Sequence, residues 1–192
     1  MSNEQILIEQ IRTGNDDAFS SLVQGLLASA YKTAYLILRS KDLAEDAVQM
    51  ALEDSFISIM KNKEIRNFKA WFYRLVYSRS IDIYRKNTRV VLSAIDENPE
   101  ALDKMQSVSA QTEAIQKETY SEMVALIMSM DKEHSVPILL YYYEGLSIKE
   151  ISLILNEKAN TIKTRLSRGR KKLGNLLEKN PKCPVEVKSY GI

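Results

Sequence analysis

The sequence predicts an all-α protein made of two small helical domains joined by a flexible acidic linker. Apolar residues recur at intervals of three and four along most of the chain, a spacing typical of amphipathic helices. Only six Gly and four Pro interrupt the 192 residues, so long helices are expected. The apolar run at 139–143 is also predicted as helix, because it lies between helical patterns and ends before Gly145, a suitable C-cap.

Four helices are predicted in the first domain, which covers residues 1–91. The periodicity starts near Ile6, forms one long helix over 16–39 with Asn15 or Asp16 as its cap, continues over 42–59, and ends in a helix from Phe68 to about Asn87. Residues 92–112 are acidic, polar and weakly periodic, as expected of a linker. The second domain is placed at 113–179, with helices over about 113–130, 131–143, 147–155 and 159–178, followed by a tail at 180–192.

Charge is strongly segregated along the chain although the net charge is only +2. Residues 42–54 hold five acids and no base, whereas 61–89 hold nine bases against two acids. Residues 93–118 then carry six acids against two lysines, and 159–179 carry seven bases against one acid. Two basic blocks separated by an acidic one predict two contacts with a polyanion.

Composition also limits the chemistry that the chain can perform. Cys183 and His134 are the only residues of their types, so we expect no disulfide, no zinc site and no cofactor. We find no signal peptide and no run of eighteen apolar residues, which favours a cytoplasmic protein without direct membrane insertion. The sequence offers no carboxylate set beside His or Lys for catalysis, so we do not expect an enzyme or a small-molecule substrate.

Residues 146–173 have the pattern of a helix-turn-helix. Ser147 and Glu150 are spaced as a capping box, residues 156–158 suit a turn, and Asn160 or Thr161 is expected to cap the second helix. Ile162, Leu166 and Leu173 would form the buried face of that helix. Its outer face would then present donors suited to a DNA major groove, namely Lys163, Thr164, Ser167, Arg168 and Lys171.

The other basic block, residues 68–89, interleaves aromatic and basic side chains on one helix. This chemistry suits single-stranded DNA, because aromatic rings stack on unpaired bases while Arg and Lys follow the phosphates. The polar loop at 61–67 could hold an extruded base. Helical spacing favours Trp71 and Phe72 as core residues and leaves Tyr73, Tyr77 and Tyr84 open. The acid-rich helix at 42–56 has no His nearby and is interpreted as a solvated or protein-binding face.

Together these three stretches resemble the sigma factors of bacterial RNA polymerase, in particular the small extracytoplasmic-function (ECF) group. DLAEDAVQMALEDSF is similar to the helix that docks on the polymerase β′ clamp, and FKAWFYRLVYSRSIDIYRKNTR to the helix that meets the −10 element. LSIKEISLILNEKANTIKTRLSRGRKKL resembles the helix-turn-helix that reads the −35 element. The resemblance implies an alternative sigma factor whose partners are core polymerase, through its β′ clamp and β flap, promoter DNA and an anti-sigma factor.

The resemblance also assigns candidate residues to three surfaces. The −35 candidates are Thr161, Lys163, Thr164, Arg165, Ser167, Arg168, Arg170 and Lys171. The −10 candidates are Asn62, Lys63, Arg66, Asn67, Arg74, Arg85, Lys86 and Arg89. The polymerase candidates are Asp42, Asp46, Gln49 and Glu53.

Three residues depart from the family pattern, and two other functions stay open. Ser167 replaces a bulkier residue sometimes found at its position. Asn160 stands where the family often has Gly, and Glu157 where an apolar turn residue is common. A stand-alone helix-turn-helix regulator would need a dimer to read paired half-sites, yet no sustained heptad is present. An enzyme acting on nucleic acid would need a metal-binding carboxylate pocket, which the sequence does not offer.

Overall fold

The computed structural model describes residues 3–97 and 122–179, and the regular structure in both stretches is helical, as predicted. The first stretch contains α1 (Asn3–Arg12), α2 (Asp16–Val23), α3 (Leu27–Leu38), α4 (Lys41–Met60) and α5 (Phe68–Glu97). The second contains α6 (Glu122–Ser129), α7 (Lys132–Ile138), a π-helical turn (Leu139–Tyr143), α8 (Ile148–Leu155) and α9 (Ala159–Lys179). Each helix in these two stretches is too short or too polar to cross a membrane.

The single helix predicted over 16–39 is wrong, because a turn separates α2 from α3. The chain leaves the helix after Val23, and the backbone N–H of Leu26 donates to the Val23 carbonyl at 2.8 Å in this turn. Gly25 lies between the two helices, where its low helix propensity favours a break. The apolar spacing of three and four residues continues across the turn, which explains why the sequence pattern predicted one helix.

Helix α5 is longer than the sequence predicted. It was expected to end near Asn87 but continues to Glu97, past residue 92 where the linker was expected to begin. No Gly or Pro occurs in the chain between Phe68 and Pro99, so nothing local forces the helix to stop earlier. The remaining linker residues, the start of the helix predicted at 113–130 and the tail lie outside the described residues.

Helices α3, α4 and α5 pack against one another to form the core of the first unit. Small residues allow the backbones to approach closely, and five alanines are fully buried: Ala30, Ala34, Ala44, Ala47 and Ala51. Phe68 and Phe72 are also fully buried, with their rings stacked at 5.8 Å. The prediction that Phe72 is core is therefore confirmed, and Trp71 packs against the same cluster while half-buried.

In the second unit, α9 packs closely on α7 at a glycine. A Cβ atom on Gly169 would lie 2.7 Å from Ile138 Cδ1 and 3.4 Å from His134 Cβ, so a larger residue there would force the Ile138 side chain to shift. Gly174, on the same helix, has no atom within 4 Å of its Cβ position. The orientation of α9 on the unit therefore depends on Gly169.

Two matched substitutions on α9 test this packing. Gly174→Ala should stabilise the protein by about 0.5–1 kcal/mol, because Ala is the better helix former and meets no neighbour. Gly169→Ala should destabilise it by about 1–2 kcal/mol, because overpacking against fully buried Ile138 outweighs the same gain in helix propensity. Urea unfolding followed by circular dichroism measures both; equal stabilisation by the two variants would contradict the close approach.

The single histidine predicts how stability changes in mild acid. Burial lowers the pKa of His134, assisted by nearby Lys172, and its Nδ1 atom is buried without a hydrogen-bond partner. Because its folded-state pKa lies below the unfolded value, the unfolded chain takes up the proton first, and stability falls as the pH drops through about 6.5. We expect the free energy of unfolding to fall less between about pH 7.5 and 5.5 in His134→Gln than in the wild type. Equal slopes would contradict a lowered pKa for this half-buried imidazole.

Candidate nucleic-acid interface

Helix α8 begins with the capping box that the sequence predicted. The Ser147 hydroxyl accepts the backbone N–H of Glu150 at 3.2 Å, and the Glu150 carboxylate accepts the backbone N–H of Ser147 at 2.8 Å. Two N–H groups at the helix start are thereby satisfied, which fixes where α8 begins. Ile151 and Leu155 of α8 are buried, so one face of this helix packs into the core of the second unit.

The turn between α8 and α9 differs from the prediction at the residue where α9 begins. Asn156 ends α8 in the left-handed conformation with φ 54°, as a turn residue should. Helix α9 already begins at Ala159, so Asn160 and Thr161 lie inside its first turn and the predicted cap is wrong. The Lys158 carbonyl accepts the backbone N–H groups of Thr161 at 2.9 Å and Ile162 at 3.2 Å, which starts the helix without either side chain.

The outer face of α9 carries the predicted donors. Ile162, Leu166 and Gly169 are buried on the inner face. At 100° per residue, the side chains on the opposite face emerge side by side along the helix axis. The −35 candidates that are exposed there or on its flanks are Thr161, Lys163, Thr164, Ser167, Arg168, Arg170 and Lys171.

Two basic candidates on α9 already have protein partners. Arg165 is half-buried and its Nη2 atom lies 2.9 Å from Glu157 Oε1. Arg170 Nη1 donates to the Tyr142 hydroxyl at 3.4 Å. Glu157, which departs from the family pattern, therefore holds Arg165 against the turn, and that contact orients the start of α9.

The loop at 61–67 is held in place by α1, a role that the sequence did not reveal. Arg12 Nη2 donates to the Lys63 carbonyl at 2.9 Å, and Gln5 Nε2 donates to the Ile65 carbonyl at 2.7 Å. Asn62 is left-handed with φ 54°. Because side chains of a separate helix tie down two loop carbonyls, the loop has a defined shape.

The start of α5 is capped twice. Asn67 Oδ1 accepts the backbone N–H of Ala70 at 2.9 Å, and Glu4 Oε2 accepts that of Phe68 at 3.0 Å. Glu4 lies on α1 and could not be paired with this helix from the sequence, since the residues are far apart in the chain. The two caps fix the junction between the loop and the helix.

The −10 candidates fall into two groups on the structure. Asn62, Lys63, Arg66, Asn67 and Arg74 surround the loop and the first half of α5, whereas Arg85, Lys86 and Arg89 lie further along that helix; all eight are exposed. With a rise of about 1.5 Å per residue, Arg85 lies about 16 Å beyond Arg74 along the axis. Of the tyrosines left open, Tyr73 is fully buried, Tyr77 is half-buried and Tyr84 is exposed. Burial raises the pKa of Tyr73, assisted by nearby Glu144, so its hydroxyl stays neutral.

Helix α4 presents its predicted acidic face to solvent, together with apolar residues that the sequence analysis missed. Asp42, Asp46, Gln49 and Glu53 are all exposed. Met50, Ile57 and Met60 are 39%, 49% and 46% exposed and emerge from the same side. Their helical register with the carboxylates was the signal that could have found them. This mixed face will be called the α4 face.

A groove of about 550 Å³ runs between α4 and α5 beside the α4 face. Its lining residues on α4 include Asp46, Gln49, Met50 and Glu53, and those on α5 include Asp82, Ile83 and Lys86. Lys86 was predicted to contact DNA, yet it lines the same groove as three polymerase candidates. The structure therefore makes these two candidate surfaces adjacent.

Two family models match separate parts of the chain. Residues 22–90 match the family model described as Sigma-70 region 2, and residues 120–173 match Sigma-70 region 4. The first match spans the α4 face, the loop and most of α5. The second spans the helix-turn-helix.

Similar proteins are found among curated sequences and among solved structures. The chain is 29% identical to the ECF RNA polymerase sigma factor SigW of Bacillus subtilis, over 86% of this chain and 92% of that protein. It is 25% identical to the ECF RNA polymerase sigma-E factor of Escherichia coli, over 91% and 94%. Its fold resembles that of the sigma factor RpoE in complex with the anti-sigma factor NepR from Bartonella quintana, with a TM-score of 0.64 at 23% identity over 84% and 99% of the chains.

CnrH in complex with the cytosolic domain of CnrY has the same fold, with a TM-score of 0.60 at 21% identity over 93% and 99% of the chains. Regions 2 and 4 occur in this chain in that order, and its relatives match over most of their own length. The chain belongs to the ECF group of sigma-70 factors and is an alternative sigma factor of bacterial RNA polymerase.

Proposed function

We propose that this sigma factor reads the −35 element with α9, holds melted −10 DNA with the 61–67 loop and α5, and docks on core polymerase through the α4 face. The observation that carries the proposal is the outer face of α9, where seven exposed polar or basic candidates share one continuous helix surface. A recognition helix of this kind enters the major groove and contacts base edges with its outward side chains.

Within α9, we assign base contacts and phosphate contacts to different residues. Lys163, Thr164, Ser167 and Arg168 lie on the first part of the outer face and would meet base edges. Arg170, Lys171 and Thr161 would contact phosphates, which position the helix without reading sequence. Arg165 would contribute mainly through its ion pair with Glu157, since it is half-buried.

The −10 strand is assigned to the loop and the first half of α5. Lys63, Arg66 and Arg74 are exposed cations around a loop that α1 holds in a defined shape. Cations that follow phosphates, beside a loop of defined shape, would favour DNA melting by trapping one unpaired strand. Because base extrusion costs a few kcal/mol, the protein alone should bind promoter DNA weakly.

Core polymerase is assigned to the α4 face. Its exposed Met50, Ile57 and Met60 provide apolar contact area, and the surrounding carboxylates provide specificity for a partner with basic or polar side chains. We assign the polymerase β′ clamp to this face and the β flap to the second unit. A protein inhibitor that covers these surfaces is also proposed, because the solved structures similar in fold include a sigma factor bound to an anti-sigma factor.

The proposed activity is binding in the cytoplasm and involves no catalysis by this chain. Sigma factors are regulatory DNA-binding proteins, and the described residues contain no group of three or more His, Cys, Asp or Glu that could hold a metal ion. A stand-alone regulator is not favoured, because such a protein would not need the region 2 unit that matches residues 22–90.

Substitution of Arg168 tests the −35 assignment. With core polymerase and a genomic fragment library, the wild type should give run-off transcripts from new start sites. Arg168→Ala should weaken them by about 10–100-fold, because one bidentate base contact contributes about 1–3 kcal/mol. Arg168→Lys should restore little, since Lys lacks the bidentate geometry.

Lys179→Ala is the matched control, because it removes one positive charge from the far end of the same helix. It should leave the pattern of start sites unchanged. Equal losses in Arg168→Ala and Lys179→Ala would contradict base reading by Arg168. Tight DNA binding without polymerase and no transcripts would favour a stand-alone regulator.

A second test concerns the α4 face. Met50→Lys should weaken binding to core polymerase by about tenfold or more, because a charge replaces an apolar contact at the centre of a protein interface. Fluorescence anisotropy of the labelled sigma factor, titrated with core polymerase, measures the affinity.

Ile6→Lys is the matched control for Met50→Lys. Ile6 is 46% exposed and lies on α1, so it is not part of the α4 face, and its replacement should leave the affinity unchanged. Comparable losses in both variants would argue that polymerase does not dock on the α4 face.

A further inference from the structure

The turn before α9 contains a carboxylate that is paired with a base of the DNA-reading helix. Glu157 Oε1 lies 2.9 Å from Arg165 Nη2, and the two side chains are 24% and 26% exposed. Glu157 Oε2 is buried without a hydrogen-bond partner. Arg165 therefore supplies the positive charge that compensates a largely buried carboxylate.

The shielding of this pair makes it difficult to separate. Attraction between opposite charges is stronger away from bulk water, and loss of one partner leaves the other charge uncompensated. A DNA phosphate that competed for Arg165 would leave Glu157 in that state. We therefore expect Arg165 to stay with Glu157 when DNA is bound.

Arg165 lies where a contact with the DNA backbone would otherwise be expected. It follows Thr161 by four residues and precedes Arg168 by three, so the three side chains are neighbours on one flank of α9. Thr161 and Arg168 are exposed, whereas Arg165 is half-buried. A guanidinium released on this flank could bind a phosphate, for which its planar donors are well suited.

A second ion pair on the same flank differs in its exposure. Lys172 lies two helical turns after Arg165, and its Nζ atom lies 2.7 Å from Asp131 Oδ2. These two side chains are 47% and 72% exposed, so water and salt weaken their attraction. Lys172 can therefore leave Asp131 for a phosphate, whereas release of Arg165 would strand the charge of Glu157.

We propose that Glu157 limits the DNA affinity of this sigma factor, because it holds Arg165 away from the phosphate backbone. The inference rests on the proposed DNA-reading function of α9. It makes Glu157 a positioning residue that acts through Arg165 and does not contact DNA itself. Loss of the carboxylate would add one phosphate contact, which carries no sequence information.

A restrained arginine suits a protein that finds promoters together with polymerase. Phosphate contacts strengthen binding to all DNA sequences, and non-specific sites greatly outnumber specific ones. One phosphate contact fewer reduces the binding of the free factor to unrelated DNA. Base contacts on the outer face of α9 then contribute a larger share of the binding energy.

Glu157→Ala tests the restraint in the isolated full-length protein. The probe is a fluorescent pool of short random-sequence DNA duplexes, and anisotropy measures the affinity over a range of salt concentrations. The affinity should rise about tenfold near 50 mM salt and about threefold near 200 mM, because one added phosphate contact steepens the salt dependence by about 0.9 in log–log slope. Glu157→Gln should change both quantities in the same direction by less, since Gln still accepts from Arg165 but carries no charge.

Asp131→Asn is the matched control, because it removes an acid that pairs with another base on the same flank. The affinity should change by less than about twofold, since the lost pair is exposed and weak. The slope of the salt dependence should stay at the wild-type value. Circular dichroism confirms that each variant keeps its helical content.

An Arg165→Gln background separates the release of Arg165 from the simple loss of a negative charge. Arg165→Gln alone should leave the slope of the salt dependence unchanged, because Arg165 contacts no phosphate in the wild type. Glu157→Ala should give no gain in affinity in this background, since no guanidinium is left to release.

Four results would overturn the proposal. The first is an equal gain from Glu157→Ala with and without Arg165, which would indicate a general charge effect. The second is a shallower salt dependence in Arg165→Gln alone. The others are equal gains in Glu157→Ala and Asp131→Asn, and unchanged or weaker binding in Glu157→Ala.

Run-off transcription with the same variants distinguishes failure of the restraint from failure of the sigma function. If the wild type and Glu157→Ala both direct transcription with core polymerase, but Glu157→Ala gains no DNA affinity, the restraint is wrong and the −35 assignment stands. If no protein directs transcription, the proposed function fails.

Discussion

Burial of the first turns of α5 is the constraint on which the surfaces of the first unit depend. Phe68 and Phe72 are fully buried and stacked, and Glu4 caps the Phe68 N–H. A helix anchored at its start fixes the loop that precedes it and the direction of its remaining turns. The groove beside α4 and the basic residues of α5 therefore follow from one small cluster of aromatic side chains.

Local signals predicted most of the fold. The capping box at Ser147 and Glu150, the turn that follows α8 at Asn156 and the apolar spacing of the helices depend on residues a few positions apart, and all are found in the structure. The errors in the helix boundaries occurred where the apolar spacing continued across a turn between two helices, or where a helix continued beyond its predicted end. At Gly25 the apolar spacing continues through a turn, so the pattern did not indicate the break between α2 and α3. After Asn87, α5 continues because no Gly or Pro occurs before Pro99.

The candidate sites were predictable to different degrees for the same reason. The outer face of α9 could be listed in advance, because its inner face follows directly from Ile162 and Leu166. The support of the loop by α1 could not, since Gln5 and Ile65 lie 60 positions apart. The pairing of Asn67 with Glu150 spans 83 positions and joins two units, so no periodicity indicates it.

Segregated charge has a different meaning once the chain is folded. In the sequence, Glu144 and Glu150 lie in a mixed segment between an acidic block and the basic α9, and neither stands out. In the structure they meet the start of the other basic block. A chain with two basic surfaces can reduce their repulsion, and their exposure to unrelated polyanions, by placing its own carboxylates on one of them.

Glu150 connects this contact to the integrity of the helix-turn-helix. Its Oε2 atom accepts from the Ser147 backbone N–H at 2.8 Å and hydroxyl at 2.7 Å, whereas Oε1 accepts from Asn67 at 2.7 Å. Loss of the contact with Asn67 would break only the Oε1 bond of Glu150, and water can replace it because Asn67 lies at the surface. The capping box would persist, with its negative charge still at the N-terminus of α8. The start of α8 is therefore fixed within the second unit itself and does not depend on the contact with Asn67.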